Sequence, residues 1–182
     1  MEEAETVRVI KRDQSVEDFD PLKLAGAMYR ATTGGAGEFR DAMNLAVAIQ
    51  TYLCQERCRC VSSAAVFEMA VKVLRQVGLE EGAVTMERRH AWRKVRRARL
   101  RIRHEGGQIT TWEKTWLSRL TERVWRLSAR TGRIIAGQIE WELLSQDVSL
   151  IPRETALTML NARVAALGLA DAVPVRQPAA EY

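Results

Sequence analysis

The same stop signal occurs twice in this sequence. Gly78-Leu79 closes one run of helical periodicity, and Gly168-Leu169 closes another about 90 residues later. At that shift Ala46 falls on Ala136, Ile49 on Ile139, Leu53 on Leu143, Val61 on Ile151, Phe67 on Leu157 and Met69 on Met159. A slightly larger shift pairs Phe19 with Trp112 and Leu24 with Leu117. Two unrelated helical bundles can share an apolar period by chance. A constant shift through two helices that end on the same Gly-Leu pair favours duplication of one helical unit.

Along the chain, Val7, Val9 and Lys11 alternate with Arg8 and Ile10, Gln14-Ser15 reads as a turn, and Val16 to Phe19 as a returning strand. Asp20 then caps a helix with Pro21 at its first position, and "TTGGAGE" ends it. Further helices are expected over about 39–53, from Ser62 or Ser63 to Gly78, and over about 82–102, with "CQERCRC" a loop and "HEGGQ" a break. Beyond the break, Trp112, Trp116, Leu117, Leu120 and Val124 outline one helix. Ile135, Ile139, Leu143 and Leu144 outline another, and Ile151, Pro152 and Arg153 begin a last helix. The expected fold is mainly α with a small N-terminal β-hairpin, followed by a second helical unit without a hairpin. The expected divisions are a tail at 1–6, a first unit at 7–104, a degenerate second unit at 105–172 and a frayed tail at 173–182.

Composition removes several function classes. The 182 residues carry a formal net charge of +5, which permits a phosphate-bearing partner without requiring one. No run approaches the length of a membrane span, and "MEEAET" lacks the apolar core of a signal peptide, so a cytoplasmic location is expected. Cys54, Cys58 and Cys60 are an odd set for a disulfide framework, and with only His90 and His104 to complete a site they read as free thiols rather than zinc ligands. No Walker loop, metal-spaced histidine cluster or nucleophile elbow is present, so no enzyme activity is expected.

The hairpin carries the chemistry. Lys11 and Arg12 sit at its tip, and a helix N-terminus with unpaired backbone N–H groups follows near Pro21. Cations beside such a helix end can cradle a polyphosphate without a glycine-rich loop, and Lys23 on the first turn could reach the same anion. Glu17 and Asp20 could accept hydrogen bonds from a ribose or an adenine amino group. The spacing alone also fits a solvated hairpin with ordinary surface charges.

The stretch "VIKRDQSVEDFDPLKLAGAM" resembles the opening of the ATP-cone domain, the regulatory domain at the N-terminus of ribonucleotide reductase large subunits and in the transcriptional repressor of their genes. The resemblance covers about residues 7 to 95 and is most specific in the hairpin. It implies a hairpin over a helical bundle that binds ATP or dATP, with Mg2+ able to accompany the nucleotide, and that shifts oligomeric state on binding. It implies nucleotide-binding roles for Lys11 and Arg12 on the phosphates, for Glu17 and Asp20 as acidic contacts, and for Lys23 and Ser63. It also implies a basic contact from the last helix, for which Arg88 is the candidate beside Arg89, Arg93 and Lys94. Two departures stand out. The turn glycine is Gln14, which a wider turn would accommodate, and Phe67 occupies a position that is polar in some members.

The basic run at 88–103 offers a different reading. As a helix it would dock by Ala91, Val95, Ala98 and Ile102 and present Arg89, Arg93, Arg96 and Arg103 to water or to a nucleic-acid backbone. The favoured function is non-catalytic adenine-nucleotide sensing that controls self-association or a protein partner. The alternatives are a nucleic-acid-binding regulator and a decayed domain that only makes contacts. With no Lys-Arg hairpin, the second unit is expected not to bind nucleotide. At least one of Trp112, Trp116, Trp125 and Trp141 is expected in an exposed contact patch.

Overall fold

The computed structural model describes residues 6–32 and 38–169. The two tails fall wholly or mostly outside these residues, as does most of the "TTGGAGE" break. The order of elements is β1 (Arg8–Ile10), β2 (Val16–Asp18), α1 (Pro21–Thr32), α2 (Phe39–Gln55), β3 (Cys60–Ser62), α3 (Ser63–Gln76) and α4 (Glu80–Arg99). It continues with β4 (Arg101–Arg103), β5 (Ile109–Thr111), α5 (Thr115–Trp125), α6 (Ala129–Ser145), β6 (Leu150–Pro152) and α7 (Arg153–Ala166). The fold is mainly helical and opens on a small hairpin, as the periodicity predicts. The chain divides into two compact units, Met1–Trp92 and Arg93–Tyr182, so that α4 contributes to both.

Each unit holds one three-stranded sheet, ordered β2-β1-β3 in the first and β5-β4-β6 in the second. In both, the central strand pairs antiparallel with its hairpin partner and parallel with the third strand. The expectation of a second unit without a hairpin is therefore wrong. Its first strand is taken from the end of the basic run, which reads as helix in sequence because Arg101 and Arg103 continue the run of cations. Helix α4 stops at Arg99, and Ile102 alone of the three strand residues is buried, beneath the β4–β5 pair. For the same reason the docking stripe assigned to this helix fails: Ala91, Val95 and Ala98 are exposed. The buried residues of α4 are Gly82, Ala83 and Met86. Three further corrections concern short extended segments. Cys60 belongs to β3 rather than to a loop, Trp112 precedes α5 instead of lying on it, and Ile151 and Pro152 pair with β4 as part of β6, so that the last helix begins only at Arg153.

The cores show why both halves fold alike. Val7, Val9 and Phe19 are buried in the first unit where Leu100, Ile102 and Trp112 are buried in the second, a shift of 93. After the helical hairpin the shift becomes 90, so that Ala46, Ile49 and Leu53 answer to Ala136, Ile139 and Leu143, and Ala70 and Leu74 to Leu160 and Val164. The change arises in the α1–α2 connection, residues 33–38, against 126–128 between α5 and α6. Helix α3 ends at Gly78 with φ 78 and α7 at Gly168 with φ 66, left-handed positions that glycine occupies without a Cβ penalty.

The substitutions inside the second core are compensated locally. Trp112, where the first unit has Phe19, brings an indole N–H into the interior, and Glu140 accepts from it at 3.3 Å. Glu140 in turn pairs with Arg97 and lies 3.7 Å from Lys114. A buried carboxylate needs such partners. Arg96 donates to the Leu144 carbonyl at 2.9 Å and pairs with Asp147, so the arginines at the end of α4 are tied into the second unit. Where the first unit has Ala25, Met28 and Ala42, the second has Ser118, Thr121 and Gly132, and α5 and α6 approach closely. A Cβ on Gly132 would lie 2.3 Å from Thr121 Oγ1 and 2.9 Å from the Ser118 carbonyl oxygen. Gly132→Ala is therefore expected to destabilise the protein by about 1–3 kcal/mol through overpacking against backbone. Urea denaturation of this variant measures the effect, and an unchanged midpoint would contradict the close approach.

Candidate functional site

The hairpin tip is a tight turn. Lys11 N–H donates to the Ser15 carbonyl at 2.8 Å and Gln14 N–H to the Lys11 carbonyl at 2.9 Å, while the Asp13 carboxylate accepts from the Ser15 N–H and hydroxyl. Gln14 takes φ 62 to complete it. The second hairpin makes the same turn with glycine at that place. His104 N–H donates to the Gln108 carbonyl, Gly107 N–H to the His104 carbonyl, and Gly107 has φ 81. The expected wider turn is thus not used: Gln14 holds the tight turn in a left-handed conformation that disfavours any side chain.

Two lysines converge on one carboxylate. Lys11 Nζ lies 3.2 Å and Lys23 Nζ 3.3 Å from Glu17 Oε2. Glu17 sits on β2 opposite Val9, so its side chain bridges the hairpin tip and the first turn of α1. Asp20 accepts from the Lys23 backbone N–H at 3.2 Å, which caps α1. In this structure the acidic pair therefore positions cations and a helix end. Arg12 and Lys23 are exposed, and Lys11 is half-buried.

Strand register decides which helix end lies beside the tip. Phe19 N–H donates to the Val7 carbonyl, so α1 begins at the end of β1 away from Lys11. Strand β3 runs parallel to β1 with Ser62 beside Ile10, and α3 starts at the next residue. The helix N-terminus at the Lys11–Arg12 end of the sheet is thus that of α3 and not that of α1, which the sequence order suggests. Ser62 caps α3 by accepting from the Ala65 N–H at 3.0 Å, and Ser63 is the first helical residue. Phe67, one turn further on the same face as Ser63, stacks on His90 of α4 with ring centroids 4.2 Å apart and planes at 25°. Sequence reasoning missed His90 as part of this region, because no spacing rule links residues on different helices. Arg88 is exposed on α4, two residues before His90.

The second unit carries different chemistry on the same frame. His104 and Glu105 replace Lys11 and Arg12, Thr110 replaces Glu17, Glu113 replaces Asp20, Trp116 replaces Lys23 and Arg153 replaces Ser63. His104 Nε2 lies 2.9 Å from Thr110 Oγ1, and the Arg153 guanidinium carbon sits 5.8 Å from the Trp116 ring centroid. The paired cations of the first tip have become a histidine and an acid. A shallow pocket of about 280 Å³, lined by Met28, Thr32, Asp41, Leu45, Leu74 and Leu79 among others, lies at the far end of α1 from its first turn.

The family whose sequence pattern matches this chain is the ATP cone domain, over residues 7–105, which is more than half of the chain. No curated protein matches it.

Relief of the turn is measurable without any ligand. Gln14→Gly removes a positive-φ cost and adds backbone entropy to the unfolded chain, for a net stabilisation of about 0.5 kcal/mol. Chemical denaturation tests it. A destabilised variant would mean that the Gln14 side chain contributes more to the tip than its backbone costs.

Proposed function

The chain belongs to the ATP-cone family, a family of nucleotide-binding regulatory domains, and from that we propose that its first unit senses ATP or dATP at the hairpin tip. The observation that carries this reading is the meeting of the Lys11–Arg12 turn and the α3 N-terminus at one end of the sheet. Lys11 and Arg12 would take the phosphates together with the N–H groups of the first α3 turn. Lys23, released from Glu17, would join them, and Mg2+ would share the phosphate charge. Ser63 would offer a hydroxyl, and the Phe67–His90 pair a flat apolar face for the base. Arg88 would approach from α4. Glu17, freed from the lysines, and Asp20 would be left to accept hydrogen bonds from the ribose or the adenine amino group.

The domain is regulatory and not catalytic, and we take the whole chain to act without catalysis. Nucleotide would shift association with a second copy or with a protein partner, by as much as its affinity differs between the two states. No described helix is long and apolar enough to cross a membrane, and we place the protein in the cytoplasm. The second unit would bind no nucleotide. The reason differs from the one the sequence suggests: its hairpin is present, but the phosphate-binding cations are replaced.

Calorimetric titration of the full chain with ATP, dATP and GTP tests the reading. One adenine nucleotide is expected per chain. Each charge-assisted contact contributes on the order of 1.5–3 kcal/mol, so Lys11→Ala with Arg12→Ala should weaken binding by roughly a hundredfold or more. His104→Ala with Glu105→Ala should leave affinity unchanged. Absence of heat with every nucleotide would leave the decayed-domain alternative. A salt-dependent affinity for DNA that is lost on mutation of Arg89 and Arg93 would favour the nucleic-acid reading.

A further inference from the structure

We propose that the exposed face of α6 is a self-association surface that takes α6 of a second copy of this chain in antiparallel orientation. Ile134 and Trp141 are 55% and 52% exposed although both are large and apolar. They lie two helical turns apart, with Gln138 and Ser145 on the same line. The first unit supplies an internal comparison. Its α2 repeats the buried face of α6, but at these four positions it carries Asn44, Ala48, Thr51 and Gln55. The exposed apolar residues of α2, Phe39, Val47 and Tyr52, stand at other positions, where α6 has Ala129, Gly137 and Glu142, so the Ile134–Trp141 line is particular to α6.

Gly137 lies between the two apolar residues. A mid-helix glycine weakens a helix relative to alanine. At Gly132 the close approach of Thr121 explains it, whereas a Cβ on Gly137 would meet nothing within 4 Å. In an antiparallel pair with its two-fold axis near Gly137 and Gln138, Ile134 of one copy meets Trp141 of the other, and Gly137 leaves room for the indole.

The charges fit the same orientation. Of the seven described helices, α6 alone has neither an acid in its first turn nor a base in its last. Arg130 and Arg133 stand near its positive end, and Glu142 near its negative end. An antiparallel copy opposes the two helix dipoles and sets Arg130 against the Glu142 and Asp147 end of its partner. Within one chain Arg163 and Arg96 already pair with these acids, which remain 41% and 69% exposed and open to a second base.

The inference rests on the reading of the second unit as the contact-making half, and it is tested without nucleotide, so that a failed nucleotide titration and a failure here are distinguishable. Sedimentation of the full chain over sub-micromolar to high-micromolar concentrations is expected to show a reversible monomer–dimer equilibrium. Ile134→Glu with Trp141→Glu should raise the dimer Kd by at least about tenfold with an unchanged far-ultraviolet circular dichroism spectrum. Asn44→Glu with Thr51→Glu, the same change on α2, should leave the Kd as it was. A monomer at every concentration, a dimer indifferent to the α6 pair, or an equal loss from the α2 pair would overturn the proposal.

Discussion

Everything at the first hairpin follows from β1 being a central strand. It is three residues long, yet it pairs antiparallel with β2 and parallel with β3. A parallel neighbour cannot be reached by a tight turn, so α1 and α2 must intervene as a crossover. That crossover forms the helical pair over which the sheet packs, with Phe19, Met28, Ala46 and Ile49 in the shared core. It also returns the chain so that α3 leaves the sheet at the end where Lys11 leaves β1. Cations at the tip and the N–H groups of a 14-residue helix are thereby brought to one place by topology, although about 50 residues separate them in sequence.

The second unit shows that this frame does not depend on the chemistry at its tip. It keeps the strand order, the register of the hairpin, the tight turn and the glycine stop after the last helix. What it loses is the concentration of positive charge. Lys11 and Lys23 share Glu17 in the first unit, whereas their counterparts, His104 and Trp116, contact Thr110 and Arg153. Its core was altered as well, and the indole of Trp112 is accommodated by Glu140, which brings Arg97 and Lys114 with it. The fold therefore marks kinship between the halves, and the tip residues are where their chemistry diverges.

Most of the helices were legible in the sequence because their buried positions recur at helical spacing, as Ala46, Ile49 and Leu53 do on α2 and Ala136, Ile139 and Leu143 on α6. Asp20-Pro21, Ser62 and the two terminal glycines marked their ends. The three-residue strands β3, β4 and β6 were not legible, since three residues are too few to show alternation and only one or none of each is buried. Ile102 fitted a helical stripe equally well, which concealed the second hairpin. At the site, the Lys11–Arg12 tip and Lys23 could be read from the motif, and Glu17 could be named. Its grip on both lysines could not, because it depends on side-chain reach across β2 and α1. The choice of α3 over α1 as the helix end beside the tip lay in the β1–β3 register, which local sequence does not encode. The Phe67–His90 stack was hidden for a similar reason, since it joins α3 to α4.

Hydrogen exchange of the full chain with and without saturating ATP tests most directly where the nucleotide sits. If it lies between the hairpin tip and α3, the amides of residues 11–15 and of the first α3 turn, 63–66, gain protection together. The matching amides of the second unit, 104–108 and 153–156, stay as they were. Protection confined to the first turn of α1, or appearing equally at both hairpins, would contradict the account.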